Sequence, residues 1–140
     1  MYLTYDDYIQ MGGEKLEETA FENLEFEARS QVDWWTFGRL QKMKTLPEAV
    51  KRCMFKLITL IDKQQKVLMV DAVDEDGNVV AGLMAHQSND GVSISYNVLS
   101  ASEIYAAKKA ETQELMGKYL QGVTNSLGQE LTFRGMYLNE

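Results

Sequence analysis

"TAFENLEFEARSQVDWW", residues 19–35, is the stretch that decides the fold class. Phe21, Leu24, Ala28, Val32 and Trp35 recur at the helical period and make one apolar stripe, the pattern of a helix packed on a core. Thr19 and Glu22 have capping-box spacing at its start, and Glu17 and Glu18 stand near its positive end, where the helix dipole favours them. Phe26 falls on roughly the opposite side, as does Phe37 if the helix runs that far. Two aromatics off the stripe predict a second buried surface, one that a neighbouring molecule would supply in so small a chain.

The same signals repeat on both sides of this helix. Upstream, Thr4 and Asp7 cap a short helix whose Tyr5, Tyr8 and Ile9 share a face, and Gly12-Gly13 ends it. Downstream, Gly38 interrupts the second helix, and Thr45 caps a third with Glu48 at the box position and Pro47 in the first turn. Val50, Cys53, Met54, Leu57, Ile58 and Ile61 form its stripe. Arg52, Lys56, Lys63 and Lys66 share the opposite face, a row suited to phosphate, to an acidic partner, or simply to solvent. A last helix opens at Ser100 with Glu103, turns Ile104, Ala107, Leu115 and Tyr119 inward, and ends at Gly122.

Residues 66–99 break the helical pattern. "KVLMVDAV" and "VVAGLMAH" are apolar runs around "DEDGN", whose Asp76-Gly77 is a turn dipeptide. The acidic run there is no calcium loop, because Ala72 stands where the first liganding aspartate must be. Then "SNDGVSISYN", residues 88–97, alternates Val92, Ile94 and Tyr96 against Ser93, Ser95 and Asn97, a strand with one apolar and one small-polar face. The expected fold is mainly α, a small bundle of about four helices in a single domain, 1–140. A β-hairpin arm (66–99) is inserted between the last two helices, and an extended C-terminal arm (122–140) follows.

Composition narrows the function. A chain of 140 residues with 45% apolar content has enough to build a core. No apolar run approaches the roughly 20 residues of a bilayer span, the N-terminal stretch is acidic rather than leader-like, and a lone cysteine excludes an internal disulfide, so an intracellular chain without membrane contact is expected. The net charge of −7 is segregated. Residues 1–33 carry nine acidic and two basic groups, residues 34–66 eight basic and two acidic, and residues 67–140 four basic and ten acidic. His86 is the only histidine, no catalytic motif occurs, and the carboxylates are scattered over expected exposed faces. No catalytic, cofactor or metal site is expected; the function should lie in contacts.

Four segments together resemble a known family: "TAFENLEFEARSQVDWWTFGRL", "LPEAVKRCMFKLI", "SNDGVSISYN" and "YLQGVTNSLGQELTFRGM". In that order they are similar to the small head–tail connector, or head-completion adaptor, proteins of tailed phages and prophages. Relative to that pattern, residues 67–82 look like a variable insertion. The resemblance implies a non-enzymatic protein of the virion's head–tail junction, made in the bacterial cytoplasm. Such a protein forms a homo-oligomeric ring below the portal, extends the channel for passing double-stranded DNA, and docks the tail completion protein.

A ring explains the strand at 88–97. Its backbone edge lacks partners in a lone helical domain, whereas in a ring Val92, Ile94 and Tyr96 bury against a neighbour or the portal. Head-to-tail closure would also use the segregated charges, with Arg52 and Lys56 facing Glu22, Glu25 or Glu27 of the next subunit, and Phe26 and Phe37 in the contact. The competing readings are another phage assembly role, such as tail terminator or tail completion, and a nucleic-acid-binding helical domain using the basic row.

Overall fold

Thr4 starts the first helix as its spacing predicts: its hydroxyl accepts the Asp7 N–H at 3.2 Å, and α1 runs Tyr5–Gln10. The helix stops at Gly12, which holds a left-handed φ of 92°, and at Gly13, where a β-carbon would lie 2.3 Å from the Tyr8 ring. In the computed structural model, which describes residues 1–68, 72–73, 79–80 and 101–138, three further helices follow. They are α2 (Glu18–Trp35), α3 (Glu48–Leu68) and α4 (Ala101–Leu120), with a short 3₁₀ turn at Arg39–Lys42. The described chain is mainly helical.

The chain divides into two compact units. One comprises Met1–Asp62 with Thr112–Glu140, and the other Lys63–Glu111. In the second, β1 (Ala72–Val73) and β2 (Val79–Val80) pair antiparallel with Ala72 opposite Val80, and Gln64 donates to the Glu111 carboxylate at 3.0 Å. α3 continues to Leu68, beyond the expected start of the arm at 66. The rest of that arm, including Val92, Ile94, Tyr96 and His86, lies outside the described residues.

The first unit holds the core. Its α3 stripe of Val50, Cys53, Met54, Leu57, Ile58 and Ile61 is at most 3% exposed, and Phe21, Leu24, Ala28 and Val32 of α2 pack into the same cluster. Cys53 is an inert thiol there, pushed up to about 12 by burial, because the thiolate would lose its water. Ile9, expected inward with Tyr8, is instead 40% exposed.

Three other expectations need correction. Helix α2 begins at Glu18 with Glu17 as its cap, and Thr19 enters the first turn; two glutamates at the positive end supply charge stabilisation where a hydroxyl cap was expected. In α4 the buried face is Thr112, Met116 and Leu120, with Leu115 and Tyr119 half-buried and Ala107 exposed. Apolar residues lie all round this helix, so spacing alone does not select a face.

The C-terminal segment is also not an extended arm. Asn125 folds it back: its side-chain oxygen accepts the N–H groups of Leu127 and Gln129 at 2.9 and 3.0 Å, and Thr124 bridges to Glu130. The Leu131 N–H then donates to the Val123 carbonyl at 2.9 Å, and the Leu131 side chain is fully buried in the core.

Candidate functional site

The end of α2 builds the most distinctive surface of the first unit. The chain leaves the helix through a Schellman turn, in which Phe37 N–H donates to the Trp34 carbonyl and Gly38 N–H to the Asp33 carbonyl at 2.8 Å. The left-handed position of this turn normally belongs to glycine, yet Phe37 occupies it with φ 54°. For a side chain with a β-carbon that costs about 1–2 kcal/mol. A residue held there against its preference is a pointer to function.

Immediately after the turn stands Arg39, only 5% exposed. Its guanidinium donates to the carbonyls of Leu131, Phe133 and Gly135 at 3.0, 2.6 and 2.7 Å. It also lies 5.2 Å from the Phe37 ring and 5.1 Å from the Tyr137 ring, within cation–π range of both. One side chain therefore ties the α2 turn to the C-terminal segment. Tyr137 closes that segment on itself, its hydroxyl accepting the Glu130 N–H at 2.8 Å, with its ring 5.0 Å from that of Phe133.

Between these elements lies an open cleft of about 850 Å³. Trp34, Trp35, Phe37 and Gly38 form its α2 side, Gln41 and Gln113 contribute amides, and Thr132 and Arg134 come from the C-terminal segment. Asp33 completes the lining and is already engaged: it accepts the Tyr2 hydroxyl and, at 2.9 Å, the Gln41 amide. Burial, reinforced by the Asp33 carboxylate, pushes the Tyr2 phenol well above its usual range, so this bond keeps its proton across ordinary pH. Trp34 is 71% exposed and Phe37 55% exposed.

No protein-family model, curated protein or solved structure matches the chain. The described residues hold no group of three or more His, Cys, Asp or Glu placed to bind a metal ion, and no helix among them is long and apolar enough to cross a membrane.

The expected interface residues are divided by the structure. Phe26 is 63% exposed and, with Phe37, stands outside the core as its position off the stripe implies. Glu22 and Glu27 are exposed, as are Arg52 and Lys56. Arg52 already pairs with Glu48 one turn earlier, at 3.2 Å, and the Lys56 ammonium lies 5.7 Å from the Phe55 ring. Glu25 must be withdrawn from the set. It is 1% exposed, accepts the Tyr2 backbone N–H at 2.6 Å and pairs with Arg29 at 3.4 Å, so it faces the body instead of a neighbour.

Trp34, Arg39 and Arg134 were not among the expected residues. For Trp34 a signal existed: adjacent helical residues lie about 100° apart, so with Trp35 on the core stripe Trp34 is turned outward. Arg39 and Arg134 carry no comparable local mark.

Proposed function

We propose that this protein is a non-enzymatic structural component of a tailed-phage or prophage particle, a head–tail connector that forms a ring below the portal. The observation that carries the reading is the exposed aromatic surface of α2 and the turn that ends it, where Phe26, Trp34 and Phe37 are each more than half exposed. Apolar surface of this kind, beside a cleft with polar edges, marks a protein–protein contact. The ordered likeness of four segments to connector proteins says which contact. On this reading the arm that follows α3, within 69–99, is a β-hairpin whose Val92, Ile94 and Tyr96 bury against the next subunit or the portal, and the ring guides passing double-stranded DNA without reading its sequence. The tail completion protein docks on the face away from the portal, at the head–tail junction of the virion.

A nucleic-acid-binding role is the second reading, favoured by the exposure of Arg52, Lys56, Lys63 and Lys66 along α3. The net charge of −7 weighs against it, since sequence-independent phosphate binding draws on a basic excess. Electron microscopy of the purified protein mixed with a candidate portal protein from the same genome separates the two. Rings seated on the portal are expected; a monomer that never binds portal, yet retards duplex DNA at moderate salt, overturns the connector.

A further inference from the structure

Residues 133–138 are fastened to the first unit by polar contacts rather than by burial. Among the described residues of the C-terminal segment, Leu131 is the last buried side chain, and Phe133, Arg134, Met136 and Leu138 are exposed. The base of the segment is fixed, because the Glu130 carboxylate accepts the Gly122 N–H at 3.3 Å and the Thr132 hydroxyl at 3.2 Å. Beyond that base, the Arg39 guanidinium donates to the Phe133 and Gly135 carbonyls and lies against the Tyr137 ring. These residues also pack as one piece. The Phe133 ring meets that of Tyr137 and sits so close to Gly135 that a β-carbon there would clash. A compact piece joined to the body by a polar latch has low local stability and opens without the rest of the fold.

The latch reaches the α2 turn as well. Arg39 lies 5.2 Å from the Phe37 ring, and Phe37 holds a left-handed φ of 54° that its β-carbon disfavours. With the segment in place, the cation–π attraction offsets part of that strain. Without it, the guanidinium loses the carbonyls that orient it, and the turn loses what offsets its strain. Asp33, at the helix side of the turn, stays pinned by the Tyr2 hydroxyl and the Gln41 amide.

We infer that residues 133–138 are a strap that opens as one unit, latched by Arg39, and that its opening releases Phe37 from the left-handed conformation. Arg134 of the strap and Phe37 both line the cleft, so the cleft has a closed and an open form. This device belongs to the single chain and does not depend on the connector reading.

Tyr137→Leu loosens the latch from the strap side alone, leaving Arg39 and Phe37 in place. Trypsin cleavage after Arg134 should then quicken about tenfold, since cleavage follows the population of the open strap. Hydrogen exchange at the Phe37 and Gly38 amides, which donate to the Trp34 and Asp33 carbonyls, should quicken with it, while the α3 amides from Val50 to Ile61 keep their rates. The turn side is tested by Phe37→Leu and Phe37→Gly. Both remove the ring, but only leucine keeps the strain, so cleavage after Arg134 should be faster in Phe37→Leu. Unchanged cleavage in Tyr137→Leu overturns the strap. Faster cleavage with unchanged turn amides, or equal cleavage in the two Phe37 variants, overturns the coupling. Faster exchange throughout α3 would mean that the whole unit opens together, which overturns both.

Discussion

A guanidinium keeps its proton at any ordinary pH, so burying Arg39 to 5% exposure obliges the protein to surround it with acceptors and ring faces. It does so with three carbonyls that lie 92, 94 and 96 residues further along the chain. Removing the charge therefore strands those carbonyls and frees the segment that carries them. Arg39→Met is expected to lower the unfolding free energy by about 2–4 kcal/mol, the range for losing several charge-assisted hydrogen bonds at a buried site. Urea denaturation followed by circular dichroism measures it, and Arg39→Lys should recover only part, because an ammonium lacks the planar fork. A loss below about 0.5 kcal/mol would show the segment to be held by Leu131 and its own internal hydrogen bonds without Arg39.

At the scale of elements, the end of α2 places an aromatic where the backbone asks for glycine. Phe37→Gly relieves about 1 kcal/mol of left-handed strain and gives up a cation–π contact of similar size, so the net change in stability should stay within about 1 kcal/mol. Assembly should suffer far more, because the substitution deletes one of the three aromatics that line the cleft. Thermal melting beside ring yield on the portal tests the pair of expectations. Unchanged assembly would leave the strained phenylalanine without a functional reason. Of these elements, α3 was legible at every core position because its apolar residues occupy one continuous stripe. α4 was not, because small and large apolar residues surround it and only its neighbours decide which ones are covered.

For the molecule as a whole, charge is segregated along the chain, and the withdrawal of Glu25 into the body leaves Glu22 and Glu27 as the exposed acidic candidates on α2. Each exposed pair with Arg52 or Lys56 is worth only about 0–1 kcal/mol, but a closed ring repeats it at every interface. Raising salt from about 0.05 to 0.5 M shortens the Debye length from roughly 14 to 4 Å and should weaken ring formation. Reversing Arg52 and Lys56 to glutamate should prevent closure, and adding Glu22→Lys with Glu27→Lys should restore part of it, as read by sedimentation of portal-bound material. If the basic reversal leaves assembly intact and removes affinity for DNA, the row serves phosphate and the nucleic-acid reading takes precedence.

The helical class, the stripes of α2 and α3, the Thr4 cap and the outward placement of Phe26 follow from the sequence alone. Each depends on residues within a few turns of one another, and local spacing is what an amino-acid string records directly. The candidate site depends on distant partners. Glu25 looks like a surface carboxylate until the Tyr2 N–H closes on it, and Arg39 looks like one more surface cation until the C-terminal carbonyls arrive. The fold-back at Asn125 likewise turns an expected free arm into the far wall of a cleft. Only tertiary structure decided these placements, because the cost of burying a charge is met by groups remote in the chain, and no local pattern encodes which ones will meet it.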